Sequence, residues 1–214
     1  MKIGFVVNDV DTEVPSAATT LLAWSAAAMG HTVHMIGVGE LTYQVDGTIV
    51  GTSRPAPPAE DQAAFLKAVQ GREARRERIE CTELDVLWLR YNPVESTGEM
   101  WEQDAGIAFG QLAMHQGVIV LSHPYTLSFA VNKMYFQHFP ESIRPRTIIT
   151  RSLDEIVDFH KEQKGRIVLK PLRGYHGTLL RNEAERSFDF GQMPPVLLGQ
   201  FFLARREHFA VAME

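Results

Sequence analysis

Residues 166–177 read RIVLKPLRGYHG, and the fold assignment turns on them. Ile167-Val168-Leu169 is a short apolar strand with Lys170 at its end. Pro171 stops regular pairing. Gly174 and Gly177 then bracket a loop that contains Tyr175 and His176. A strand delivering a lysine beside a glycine-containing turn suits a polyphosphate: glycines let backbone N–H groups come close to oxygens, and the ammonium adds a positive charge. The same residues also fit an ordinary strand exit with a surface lysine, because short Gly-Lys patterns are common.

Working outward, the segment before this strand reads as helix, strand, helix. Residues 127–139 have helical character with Asn132-Lys133-Met134 in the middle, and 146–150 form a short strand. Ser152-Leu153-Asp154-Glu155 is an S-x-x-E capping box. It opens a helix with Leu153, Ile156, Val157 and His160 on one side, and Gly165 ends it. After the lysine strand, residues 181–195 are irregular and polar. Residues 196–203, VLLGQFFL, are apolar and strand-like, and 208–213 suit one more strand.

The first half of the chain opens strand–helix–strand. Residues 3–7 are a buried strand, and Ser16 is placed to cap a helix with Ala17, Leu21, Trp24 and Ala28 on one face. Gly30 ends that helix, and 32–38 form the second strand, the unit of a parallel sheet. Gly37 and Gly39 follow the second strand, so they make no dinucleotide fingerprint, which argues against a Rossmann-type oxidoreductase. Residues 43–51 form a hairpin turning at Asp46-Gly47. Residues 54–60 read as a proline-rich connector, and 72–80, with alternating charges, as a solvated helix or loop. Cys81 has no base or metal partner nearby and reads as a passive thiol.

Residues 85–89, DVLWL, are another strand, ending in Arg90-Tyr91-Asn92-Pro93. In open parallel sheets ligands sit at the carboxyl ends of strands. Arg90 is placed to hold a carboxylate there by a two-pronged contact; the alternative is a surface arginine paired with Glu95 or Glu99. Trp101, Ala105, Ala108 and Leu112 mark a helical face, 118–121 a buried strand, and His123-Pro124 the first domain boundary.

Composition sets the limits. The chain has 214 residues, 45% hydrophobic and 22% charged, with net charge -5 and a pI near 5.9, so nucleic acid is not the expected partner. One cysteine excludes a disulfide framework and a cysteine-rich zinc site. The five-residue apolar run at the N-terminus is too short for a signal or membrane segment. A cytoplasmic protein with no membrane partner is expected.

Lys133 in NKMYF and Lys170 in IVLKPL, with LDVLWLRYNP and GVIVLSHP upstream, stand in an order that resembles bacterial glutathione synthetases of the ATP-grasp superfamily. The resemblance runs from Met1 to about Thr178. It implies an α/β fold: a parallel-sheet pre-ATP-grasp domain over 1–122, then an incomplete ATP-grasp domain over 123–214 made of a linker helix and the small nucleotide-binding lobe. By position, Lys133 and Lys170 would touch the phosphates of ATP. Gly174, Tyr175 and Gly177 would cover the γ-phosphate, and Gln200, Phe201, Phe202 and Leu203 would form the hinge that holds adenine. Arg90 and Asn92 would bind the substrate, an amino acid or short peptide. The implied reaction is ATP-dependent carboxylate–amine ligation through an acyl phosphate, with magnesium.

Three departures from that pattern shape the expectation. Tyr175-His176 occupies the centre of a loop that is richer in glycine in the family. Residues 181–195 lack a clear helix, and 204–214 lack the G-D-x-R pattern, showing REHFAVAM instead. The larger lobe that would hold magnesium is not in the sequence, and only Glu207 and Glu214 remain as candidate ligands. A truncated or inactive ligase is therefore expected, with exposed sheet edges that favour self-association into a homo-oligomer. The alternative is a non-catalytic nucleotide- or metabolite-binding module on the same fold.

Overall fold

The computed structural model describes residues 1–92, 100–130, 132–163, 166–171, 178–181 and 210–213. The chain divides into two compact units, Met1–Phe129 and Ala130–Glu214. The first is built on a six-stranded sheet in the order β4-β3-β2-β1-β5-β6. Its strands are β1 (Lys2–Val7), β2 (Thr32–Tyr43), β3 (Ile49–Ala56), β4 (Glu77–Glu80), β5 (Val86–Leu89) and β6 (Ile119–Leu121). The pairs β1–β2, β1–β5 and β5–β6 are parallel, whereas β3 and β4 are added antiparallel. The strand–helix–strand opening is thus present, with β1 central and buried from Ile3 to Val7, as a parallel strand covered on both faces should be. Phe5, Met35, Phe65 and Val69 fill the core beside it.

The β2–β3 hairpin turns at Asp46-Gly47. Gly47 has φ 89°, a left-handed conformation that suits glycine, and Asp46 Oδ1 accepts from Thr48 N at 3.0 Å.

Helix α1 (Ala18–Ala28) buries a different face from the one the spacing indicates. Thr19, Thr20, Ala23 and Ala27 are buried, while Leu21 is 46% exposed. Ser16 is not its cap: Ala17 is, without a side-chain bond. Helix α3 (Met100–His115) differs in the same way, burying Gly106, Ile107, Gly110 and Ala113 and leaving Ala108 and Leu112 exposed. Both helices turn small residues toward their neighbours. At Gly106 an added Cβ would meet the Tyr91 ring at 2.4 Å, and at Gly110 it would meet Leu89 at 2.7 Å. Large apolar residues, which dominate periodicity arguments, do not fit where backbones pack this closely.

The connector read at 54–60 is in part strand: Arg54, Pro55 and Ala56 end β3. Pro55 falls beyond Ser53, the last β3 residue that β4 pairs, where a missing donor is tolerated. The charged segment likewise ends in an edge strand, β4, which buries Ile79 and turns its charges outward. Strand β6 is also an edge rather than a buried strand. Val120 is buried and its neighbours Ile119 and Leu121 are exposed.

Helix α2 (Gln62–Val69) is capped by Asp61, whose carboxylate accepts from Ala64 N at 2.8 Å. Helix α4 (Pro124–Ala130) begins at the His123-Pro124 break, with proline in the first helical position. The single helix read over 127–139 is two pieces. Asn132 caps a separate 3-10 turn, Lys133–His138, by accepting from Met134 N at 2.9 Å. Asparagine competes for backbone donors in this way and so breaks helices.

The second unit carries β7 (Thr147–Thr150), β8 (Arg166–Pro171), β9 (Thr178–Arg181) and β10 (Ala210–Met213), in the order β7-β10-β8-β9 with every pair antiparallel. Helix α5 (Leu153–Glu162) buries Ile156, Phe159 and His160, and leaves Leu153 exposed. Its capping box is only half made. Ser152 Oγ accepts from Glu155 N at 3.4 Å, but the Glu155 carboxylate takes the Thr150 hydroxyl instead. Thr150 Oγ1 then accepts from Ser152 N at 3.0 Å.

One buried histidine gives the first unit a pH dependence. Ser53 Oγ donates to the Glu77 carbonyl at 3.3 Å, which leaves its oxygen to accept from His34 Nδ1–H at 3.1 Å. Nε2 is buried without a partner among the described residues. Burial pushes the His34 pKa below 6.5, and the nearby Glu77 carboxylate only partly opposes it. The unfolded chain therefore binds more protons than the folded one in the window just below pH 6.5. Stability contributed by neutral His34 is complete above that pH and is lost as the pH falls toward the depressed folded value. The melting temperature should drop between pH 7 and pH 5, and His34→Gln should flatten that drop. An equal slope in both proteins would rule His34 out.

Candidate functional site

The site is assembled where β1 and β5 end side by side. Arg90 follows β5, and its backbone N–H donates to Val6 O at 2.8 Å, extending the pairing with β1. Beyond it, Asn8 and Asn92 close a reciprocal pair. Asn8 Nδ2 donates to Asn92 O at 2.9 Å, and Asn8 Oδ1 accepts from Asn92 N at 2.7 Å. A side-chain amide thus imitates a strand and holds the two chain exits together.

The Arg90 side chain is half-buried and fixed on two sides. Nε–H donates to Thr19 Oγ1 at 3.3 Å, and the guanidinium carbon lies 5.9 Å from the Trp88 ring centroid. Trp88 in turn stacks on Phe5 at 5.4 Å. Tyr91, between Arg90 and Asn92, is 5% exposed, and burial pushes its phenol pKa up. The strand end therefore offers one guanidinium on a rigid base, a suitable recognition element for a carboxylate.

A second cluster fixes the loop that leads from β1 into α1. Arg54, paired in register with Met35 on β2, is 3% exposed. Its Nη1 donates to Asp11 Oδ1 at 2.8 Å and to Val69 O at 3.2 Å, and its Nη2 donates to Asp11 Oδ2 at 3.0 Å. Glu40 Oε1 lies 3.5 Å from Nη2, while Glu40 Oε2 accepts from Gly37 N at 2.8 Å. The Arg54 hydrogen bond, helped by the Gly71 N–H, holds the Asp11 carboxyl below its ordinary range. Gln70 Nε2 ties the same loop by donating to Val10 O and Glu13 O, each at 2.8 Å.

In the second unit, Lys133 opens the 3-10 turn and its side chain is half-buried. Lys170 stands on β8 opposite Val211 of β10, one residue before the strand ends. The Lys170 side chain lies outside the described residues, as do Gly174, Tyr175, Gly177, Gln200, Phe201, Phe202, Leu203, Glu207 and Glu214. A recess of about 400 Å³ is lined by Gln137, Glu141, Arg144, Pro145, Arg146 and Thr147, none of them a site residue expected from sequence. Among the described residues no group of three or more His, Cys, Asp or Glu could hold a metal ion, and no helix is long and apolar enough to cross a membrane. Cys81 is free and buried, with its thiol pushed up to about 11 by burial.

The sequence names Arg90 and Asn92 as candidates; the structure ties them to Thr19 and Asn8, and fixes the neighbouring loop through Asp11 and Arg54, none of which the sequence singles out. Thr19 was hidden by the wrong choice of helix face, and Arg54 by its proline-rich neighbours. Asn8 and Asp11 carried one available signal: polar residues directly after a buried parallel strand.

A mixed sheet whose β2, β1, β5 and β6 run parallel, followed along the chain by a four-stranded antiparallel sheet, matches the fold of ATP-grasp proteins among solved structures. The RimK domain protein ATP-grasp from Sphaerobacter thermophilus matches with TM-score 0.52 at 14% identity, covering 100% of this chain and 63% of that one. D-cycloserine synthetase DcsG matches with TM-score 0.52 at 13% identity, covering 100% and 59%. The sequence is more specific. The profile of the prokaryotic glutathione synthetase N-terminal domain matches residues 1–127, and that of the prokaryotic glutathione synthetase ATP-grasp domain matches 132–197. The chain belongs to the prokaryotic glutathione synthetase family. The glutathione synthetase of Shewanella oneidensis is 26% identical over 179 residues, 83% of this chain and 53% of that protein. That of Gloeobacter violaceus is 27% identical over 205 residues, 88% and 57%. The chain thus spans about half the length of the curated relatives it matches.

Proposed function

We propose that this chain supplies the acid-binding and nucleotide-binding parts of an ATP-dependent carboxylate–amine ligase of the glutathione synthetase type. The observation that carries the reading is Arg90, a guanidinium braced at the carboxyl end of a parallel strand in a chain of this family. Arg90 takes the carboxylate of an amino acid or short peptide, and Asn92 shapes the same strand end. Lys133 and Lys170 take the phosphates of ATP, Gly174, Tyr175 and Gly177 cover them, and Gln200, Phe201, Phe202 and Leu203 hold adenine. A lysine near the end of β8, in an antiparallel sheet, supports the nucleotide half of this reading.

ATP, when bound, supplies the phosphoryl group that turns a carboxylate into an acyl donor for an amine. Charge grows on the transferring oxygens, so ammonium groups fixed beside them lower the barrier. Among the described residues no group of three or more His, Cys, Asp or Glu offers a ready site for magnesium, the ion that accompanies ATP in such chemistry, and no step here runs through it. The relatives are named for glutathione, and a small acidic peptide of that kind suits Arg90. The reading includes a cytoplasmic setting, which suits ATP and a single unpaired thiol.

Isothermal titration with ATP and magnesium tests the nucleotide half. Binding is expected, and Lys170→Ala should weaken it about tenfold, the scale of one hydrogen bond to a charged group. Unchanged affinity in the variant would remove Lys170 from the phosphate site. Absence of binding up to millimolar ATP would remove the nucleotide claim for this chain.

A further inference from the structure

A guanidinium presents two bidentate edges to a carboxylate. One is the side edge, Nε with one Nη; the other is the end edge, both Nη groups. In Arg90 the side edge is already engaged, because Nε–H donates to Thr19 Oγ1 at 3.3 Å. One face of the guanidinium lies over Trp88. Among the described residues no carboxylate pairs with Arg90, and its only polar side-chain partner there is Thr19.

The Thr19 hydroxyl does not owe its place to Arg90. Thr19 is 7% exposed in the first turn of α1, and its β-branched side chain has few rotamers. The loop before it is tied down independently: Thr20 Oγ1 donates to Val14 O at 2.9 Å, Gln70 binds two loop carbonyls, and Arg54 grips Asp11. A fixed acceptor beside a long, flexible arginine acts as a stop that sets the plane of the guanidinium. We infer that Thr19 is a positioning residue that makes Arg90 meet its ligand end-on, through both Nη groups. The ligand class this favours is an unhindered terminal carboxylate, as on a short peptide, which can lie in the guanidinium plane without crossing the Thr19 side.

This inference rests on the reading of Arg90 as a carboxylate site, and the experiment separates the two. The full chain is titrated calorimetrically with glutathione and with glutathione diethyl ester, which lacks both free carboxylates. The wild type should prefer glutathione, and Arg90→Gln should lose that preference. Thr19→Val should weaken glutathione binding about five- to tenfold with ester and ATP binding unchanged, and Thr19→Ser should return it to within about twofold of wild type. Thr19→Ala takes the place of the valine variant if that chain does not fold. If wild type and Arg90→Gln bind glutathione alike, the carboxylate site falls and the positioning role with it. If Arg90→Gln weakens binding but Thr19→Val does not, only the positioning role falls. It also falls if Thr19→Val weakens glutathione and ester equally, or if serine fails to restore binding.

Discussion

Replacing Arg54 by alanine is expected to destabilise the first unit by about 3 kcal/mol, at the lower end of the range for breaking a buried ion pair. The guanidinium is almost wholly enclosed and donates to Asp11 through both Nη groups and to the Val69 carbonyl. Removing it deletes those bonds and leaves a cavity between β3 and the loop that follows β1. The estimate is kept low because the Asp11 side chain is 41% exposed, so water can rehydrate the abandoned carboxylate. Arg54→Lys should recover less than half of the loss, since a point charge cannot make the planar two-pronged contact. Urea unfolding at pH 7 measures both, and a change under 0.5 kcal/mol for alanine, the usual scale of a surface substitution, would refute the role. The acid side gives a second check. Asp11 has its carboxyl pKa depressed below 3.8 by Arg54, so its stabilisation is present above that value and is lost as the pH falls through the folded pKa. In Arg54→Ala most of that acid-labile part should be missing already at neutral pH.

The parts of the fold legible in the sequence are those that depend on uninterrupted local signals. β1 is a continuous apolar run, Asp46-Gly47 suits its turn whatever surrounds it, and Arg90 follows directly on the apolar run Val86–Leu89. The helix faces were not legible, because α1 and α3 present alanine, glycine and threonine to the core alongside Ile107, and leave Leu21 and Leu112 outside. A periodicity argument weighted by size selects the large residues, and close packing selects the small ones. Arg54 was unreadable for a related reason. Its partners Asp11, Glu40 and the Val69 carbonyl come from three other segments, and only the sheet register brings them within reach. The candidate site divides along the same line. Its strand-end cation was visible from the sequence, whereas the hydroxyl that orients it lies 71 positions away on a helix. The two lysines and the hinge have no such local signal, and their assignment rests on family resemblance alone.

Gly106→Ala should couple packing to the site more directly than any change at the strand end itself. In an isolated helix this substitution is favourable by about 1 kcal/mol, because alanine restricts the unfolded chain. Here the new Cβ would stand 2.4 Å from Tyr91 Cε1 and 2.6 Å from Cζ, more than 1 Å inside a normal carbon contact. Tyr91 is buried, so its ring has no solvent side to swing into. Either α3 lifts away from β5 or Tyr91 moves, and overpacking of this kind costs about 1–3 kcal/mol, more where the backbone must shift. The overlap should outweigh the helical gain, leaving a net loss of about 2 kcal/mol. Since Tyr91 joins Arg90 to the Asn8–Asn92 clamp, glutathione binding should weaken as well, while ATP binding does not change. Gly110→Ala provides the contrast. Its closest neighbour is the Leu89 Cδ1 methyl at 2.7 Å, the end of a flexible side chain, so a smaller loss is expected despite Pro124 Cβ at 3.2 Å. Tyr91→Leu removes the ring atoms that the new methyl would strike, so the double variant should be less destabilised than the sum of its parts by about 1 kcal/mol or more. Strict additivity in urea melts would mean that Gly106 does not bear on Tyr91, and the link from helix packing to the strand-end site would be lost.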